Sequence, residues 1–186
     1  MARNDAGTPY GVNHVVLNVR SMDESHEFWT DIVGFKQVGT LKMPEEMGQM
    51  PRMQFYSGLR NGQLNHHDIA LVENPNIPEP PEGWNPFASA LAINHIAVAM
   101  PDRDSWLKKL EDLQARGVKL HMRVNHGMTH SAYITDPNGY GVEILYELPR
   151  EMWEGNIDAG LNYFKLLPTE GKEALVDDIA NAPRFG

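Results

Sequence analysis

The run GVNHVVLNV at residues 11–19 returns in altered form as INHIAVAM at residues 93–100, so that Asn13-His14 is answered by Asn94-His95. The segments C-terminal to the two runs repeat as well. After the first, Ser21 and Glu24 have the spacing of a capping box, in which Ser caps the helix and Glu reaches back. The helix carries Phe28, Trp29, Ile32 and Val33 and stops at Gly34. Strand patterns come next at 35–41, 53–57 and 67–73. After the second run, a helix begins around Pro101–Arg103, places Trp106, Leu110 and Leu113 at i, i+4 and i+7, and ends at Gly117. Strand patterns then occupy 118–124, 131–135 and 141–146. A β-α-β-β-β unit present twice is a strong constraint, because each copy has one apolar face to bury and one left over.

The modules are expected at residues 10–73 and 92–148. Between them, NPNIPEPPEGWNP is Pro-rich and acidic, can form neither helix nor ladder, and reads as a linker over 74–91. Residues 1–9 read as a polar arm. The segment 149–186 is predicted to be helical. Trp153, Ile157, Leu161 and Phe164 make an amphipathic stripe over 151–167, with a shorter helix at 170–182. That stripe suits core packing, a lid or a partner subunit.

Composition narrows the function. With 186 residues and 41% hydrophobic content, the chain can bury a real core. A net charge of −9 without a Lys/Arg run argues against nucleic acid or an anionic membrane as partner. The absence of cysteine excludes a disulfide framework, thiolate metal sites and a Cys nucleophile. Neither a signal-like apolar region near the start nor a bilayer-length apolar run is visible, so a cytoplasmic protein is expected. Eight histidines supply nitrogen ligands and general bases.

Residues 126–147, HGMTHSAYITDPNGYGVEILYE, read as two strands joined by the turn Asp136-Pro137-Asn138-Gly139. Glu143 interrupts the second strand between Val142 and Ile144. Alone, it reads as an exposed Glu on a half-buried strand. Burying it is expensive unless it is paired or binds a metal. His14 and His95 stand at matching positions of the two modules. The counterpart of Glu143 in the first module falls within 65–69, where alternation groups His67 with Ile69 and Leu71 and sets His66 with Asp68. If the two sheets curl to face each other, His14, His67, His95 and Glu143 become four corners of one cavity. Two imidazoles and a carboxylate make a facial triad typical of non-haem Fe(II) oxygenases, although Mn, Co, Ni and Zn accept the same ligands.

Together GVNHVVLNV, NHHDIAL, INHIAVAM and HSAYITDPNGYGVEILYE resemble the vicinal oxygen chelate superfamily over residues 10–148. They are most similar to its type I extradiol ring-cleavage dioxygenases. The resemblance implies an α+β fold of paired βαβββ modules forming a curled mixed sheet around a metal cavity, here with a C-terminal helical tail. It implies that His14, His95 and Glu143 hold Fe(II), with Mn(II) as the alternative. His67 would be the second-sphere acid/base, Tyr133 would hydrogen-bond a substrate oxygen, and His126 would be a further pocket histidine. The substrate would be a catechol, the co-substrate O2, and the assembly a small homo-oligomer with a single pair of modules. His66 is expected to be structural and His26 a surface residue, while His121 and His130 are given no role, a solvent-facing strand position being the default for both. Met43, Met47, Met50, Met53 and Phe55 gather on or near one loop, where they suit core packing or an adaptable pocket. The competing function is a glyoxalase- or epimerase-type isomerase with four protein ligands, which usually places a Glu where this chain has His67. A binding module without chemistry would lack the ligand set.

Overall fold

The computed structural model describes residues 12–42, 51–80, 83–85 and 93–185, and the chain divides into two compact units at Glu79 and Pro80. The N-terminal arm and the loop methionines Met43, Met47 and Met50 lie outside the described residues.

In the first unit, β1 (Val15–Val19) leads through α1 (Met22–Glu27), which continues as a wide π turn over Phe28–Val33. Then come β2 (Lys36–Thr40), β3 (Met53–Ser57), a small hairpin of β4 (Leu59–Arg60) and β5 (Gln63–Leu64), and β6 (Ile69–Glu73). The main sheet runs β1-β6-β3-β2, with β1 parallel to β6 and the other pairs antiparallel. Along β1, Leu17 and Val19 are buried whereas Val16 and Asn18 are exposed. One face therefore packs beneath the helix and the other, which carries His14 by the same alternation, stays open. The helix starts where expected, with Ser21 Oγ accepting the Glu24 N–H at 3.3 Å. It ends at Gly34, whose φ of 99° lies in the left-handed region that glycine tolerates. Trp29 and Met22 are fully buried beneath this helix.

The second unit repeats this plan with β7 (His95–Ala99), α2 (Arg103–Ala115), β8 (Met122–Asn125), β9 (Thr129–Thr135) and β10 (Gly141–Glu147). Its sheet runs β11-β8-β9-β10-β7, where β11 (Lys165–Leu167) is an added edge strand and β7 is parallel to β10. Without β11, the order reproduces that of the first unit, so the duplication read from two Asn-His dipeptides extends to the whole topology. Trp106, Leu110 and Leu113 are the buried stripe of α2, and the Trp106 indole N–H donates to the Ile144 carbonyl at 2.8 Å. The β9–β10 turn is closed by the buried Asp136, whose Oδ1 accepts the N–H groups of Asn138 and Tyr140, both at 2.8 Å.

Beyond β10 the expected long helix is absent. The chain makes short 3-10 turns at Arg150–Met152 and Glu154–Asn156, a brief α3 (Ile157–Leu161), strand β11 and a last 3-10 turn at Lys172–Leu175. Gly155, Gly160 and two asparagines weaken the helical pattern. Ile157, Leu161 and Phe164 consequently remain exposed instead of forming a packed stripe. The shorter helix at 170–182 fails for another reason, because its carbonyls are taken elsewhere. The buried Arg123 donates to the carbonyl oxygens of Pro168 and Val176 at 2.9 and 3.1 Å. Asp177 is drawn inward to accept from His130 Nδ1 at 2.5 Å, the Tyr146 hydroxyl at 2.6 Å and Arg103 Nε at 2.9 Å. His130, expected at the surface, is 2% exposed at the centre of this network.

Burial pushes the Asp177 carboxyl up, but the hydrogen bonds from His130 and Tyr146 and the charges around it outweigh that and bring it to about 2. A carboxylate depressed on folding contributes stability above its unfolded pKa and loses it as pH falls through the folded value. From an ordinary value near 3.8 this amounts to about 2 kcal/mol. Asp177→Asn is therefore expected to lower stability at neutral pH by about that amount, and to remove the matching loss the wild type shows between about pH 4 and pH 2. Urea unfolding at several pH values reads both effects.

Candidate functional site

In the first unit the histidines meet ahead of β6. The Asp68 carboxylate accepts from Gly58 N–H at 2.9 Å and from Arg60 Nη2 at 2.6 Å, while the Asp68 N–H donates to the Tyr56 carbonyl at 2.8 Å. This fixes a bend, and His66 and His67 lie in it, outside the regular strand. The alternation expected to group His67 with Ile69 and Leu71 thus does not apply. The His67 ring instead lies 4.3 Å from that of His14, centroid to centroid, and 5.1 Å from that of Phe55. His66 and His67 approach through their Nδ1 atoms at 2.8 Å, which requires one of the two to be an unprotonated acceptor. Burial, followed by the neighbouring His14 and His66, pushes the His67 pKa down. A neutral ring able to take a proton is what an acid/base role requires.

In the second unit four of the expected residues converge. Glu143 faces Tyr133 across β9–β10 and Ala97 across β7–β10, while His95 pairs with Gly141. Alanine and glycine leave room for the longer side chains, and His95 Nε2 comes within 3.2 Å of Glu143 Oε2. Glu143 is 6% exposed, so the reading of a lone surface Glu is overturned. Burial pushes its carboxyl up, but hydrogen bonding with His95, Ser131 and Tyr133 more than compensates and holds the group ionised. Burial, then the charge of Glu143, pushes the Tyr133 phenol up and keeps its proton in place. His126 Nε2 lies 3.0 Å from the Tyr133 hydroxyl, and burial lowers the His126 pKa, which favours its neutral form.

The two strand histidines share one further feature. His14 Nδ1 donates to Asn13 Oδ1 at 2.8 Å, and His95 Nδ1 donates to Asn94 Oδ1 at 2.7 Å. With its proton on Nδ1, a neutral imidazole turns a lone pair outward at Nε2, which is how an oriented metal ligand is prepared. At His95 that lone pair faces a carboxylate oxygen. Two electron-rich atoms 3.2 Å apart need a proton or a cation between them. Metal bonds of about 2.0–2.2 Å set two ligand atoms of one ion about 3 Å apart, which the His95–Glu143 pair matches. The donor set therefore fits a divalent metal. Among the described residues, no three His, Asp or Glu side chains are already gathered around one point.

A family model described as the glyoxalase/bleomycin resistance protein/dioxygenase superfamily matches residues 11–144. The chain belongs to this superfamily. It is 25% identical to a catechol-2,3-dioxygenase of Bacillus subtilis (strain 168), over 90% of this chain and 51% of that protein. The chain thus spans about half the length of that dioxygenase. It is 24% identical to a lactoylglutathione lyase of Pseudomonas putida, over 74% of this chain and 85% of the lyase. Its fold is similar to the fosfomycin resistance protein FosX of Listeria monocytogenes, solved with Mn(II) and sulfate, with a TM-score of 0.52 at 15% identity, covering 77% of this chain and 98% of that one. The superfamily and its mixed α+β fold with curled sheets are those implied by the resemblance read from the sequence. Among the described residues, no helix is long and apolar enough to cross a membrane.

The remaining histidines have partners of their own, with the His121 ring also 6.3 Å from that of Trp84. His26 Nδ1 lies 3.1 Å from the Tyr56 hydroxyl, and His121 Nε2 lies 3.0 Å from Thr135 Oγ1, so both are partnered and half-buried. One residue beside the site was not singled out from the sequence. Trp84, within the Pro-rich linker, is buried and stacks on Tyr133 with centroids 5.4 Å apart and planes 15° apart. Gly141 makes this possible, since a Cβ there would sit 2.5 Å from the indole. Gly141→Ala is expected to displace the indole, destabilise the protein by about 1–3 kcal/mol and make Trp emission more sensitive to acrylamide. Urea unfolding and a quenching titration check it, and an unchanged quenching constant would contradict the packing.

Proposed function

We propose that this member of the superfamily is an extradiol ring-cleavage dioxygenase, with Fe(II) ligated by His14, His95 and Glu143 and a catechol as substrate. The observation that carries the reading is a register asymmetry. Two residues beyond the strand histidine, Ala97 pairs with Glu143 in the second unit, whereas Val16 pairs with Ala70 in the first. Glu143 therefore has an alanine as its counterpart, and the first unit offers His67 beside His14. A three-ligand set plus a neutral histidine supports oxygenase chemistry better than the four-ligand set of an isomerase.

When bound, Fe(II) supplies Lewis acidity and coordination positions for substrate and dioxygen. The chain's own residues supply the rest. His67, held neutral, takes a proton from a catechol hydroxyl and returns it later in the reaction. Tyr133 keeps its proton and donates a hydrogen bond to a substrate oxygen as charge develops there. His126 Nε2, 3.0 Å from the same hydroxyl, donates to its oxygen and so steers the phenol's single proton toward the substrate. The ring bond beside the diol is cleaved, and both atoms of O2 enter the product. By analogy with the superfamily, a homo-oligomer is the working assembly.

A second reading, lactoylglutathione lyase chemistry, is favoured by coverage, because the chain matches 85% of the Pseudomonas lyase and only 51% of the Bacillus dioxygenase. Anaerobic loading with Fe(II) and then a panel of substituted catechols under oxygen separates the two. A yellow ring-cleavage product supports the dioxygenase. Turnover of the methylglyoxal–glutathione adduct without ring cleavage would replace it with the lyase. His67→Ala is expected to retain iron by metal analysis while losing turnover about 10²- to 10⁴-fold. Iron lost in that variant would make His67 a fourth ligand.

A further inference from the structure

We propose that Trp84 is a positioning residue that sets the orientation of His95 from the linker; the functional weight of this inference rests on His95 being a metal ligand. The Trp84 indole N–H donates to the Asn94 carbonyl at 3.2 Å. That carbonyl belongs to the rigid peptide plane joining Asn94 to His95, so the bond fixes the backbone on both sides of it. Asn94 Oδ1 then holds His95 Nδ1 at 2.7 Å. The same indole stacks on Tyr133 and stands edge-on to the His95 ring, with centroids 6.5 Å apart and planes at 89°. One side chain thereby sets the direction of Nε2 at His95 and limits the plane of Tyr133. Gly141, directly across the ladder from His95, supplies the space the indole occupies. A linker that served only as a tether would have no use for a tryptophan buried at this point.

Trp84→Phe keeps a ring against Tyr133 and removes the N–H. Trp84→Gln keeps a donor and removes the ring. The decisive readout is the tautomer of His95 in the metal-free protein, observed by long-range ¹H–¹⁵N NMR in mildly alkaline buffer and assigned with His95→Gln. Wild type is expected to show a single form with Nδ1 protonated against Asn94 and a further proton shared between Nε2 and Glu143. Trp84→Phe is expected to show a tautomer mixture while remaining folded, and Trp84→Gln to move back toward the single form. Co(II) affinity in the Phe variant is expected to fall about tenfold, as for the loss of a partner that orients a ligand. A His95 pattern unchanged in Trp84→Phe would overturn the inference, as would a mixture in the Gln variant beside a single form in the Phe variant. Wild-type protein that binds no Co(II) would instead defeat the metal reading, and the NMR pattern would still decide the role of Trp84.

Discussion

The second unit is built to bring a buried carboxylate against an imidazole. Glu143 enters a strand whose neighbours are apolar, and an unpaired carboxylate there would cost several kcal/mol. Three things offset that cost: the contact with His95 Nε2 at 3.2 Å, hydrogen bonding with Ser131 and Tyr133, and the small residues Ala97 and Gly141, which let the side chains meet. The asparagine before His95 takes the proton-bearing nitrogen and turns the other toward Glu143. Nε2 and the carboxylate then meet across a proton or a metal cation, a position that calls for positive charge. Beside that carboxylate Tyr133 keeps its proton, because burial and then the negative charge of Glu143 push its phenol up.

Support for this pair comes from the opposite side of the sheet. His95, Tyr133 and Glu143 alternate along their strands with residues that face α2, such as Ile144 and Tyr146. On that side Arg123, His130, Tyr146 and Asp177 form a buried polar network that fastens the C-terminal segment to the sheet. Strands held rigidly on one face can keep ligand geometry on the other, which is what a preorganised site requires.

Much of this was legible in the sequence because it depends on local rules. The paired Asn-His dipeptides marked the duplication, Ser21 marked a cap, Asp136-Pro137-Asn138-Gly139 marked a turn, and Trp106, Leu110 and Leu113 marked a buried stripe. Convergence of His95, Glu143, Tyr133 and His126 came from the hairpin register and from parallel pairing of the first and last strands of the module. The failures have non-local causes. Strand alternation predicts the face of His67, yet Asp68 bends the chain just before β6. The apolar spacing of the tail predicts helix, yet Arg123 and its neighbours capture its carbonyls and Asp177. Trp84 was hidden in a linker whose prolines announced only extension. Asn61-Gly62, with φ of 54° and 76°, is a local hairpin signal between β4 and β5.

The most direct measurement is anaerobic titration of Co(II) into the purified protein and into Glu143→Gln, read by absorption spectroscopy and calorimetry. The wild type is expected to bind one ion per chain with a ligand-field spectrum. The Gln variant, which keeps the shape but not the charge, is expected to lose most of that affinity. Equal binding by the two proteins, or none by the wild type, would contradict a cation between His95 and Glu143.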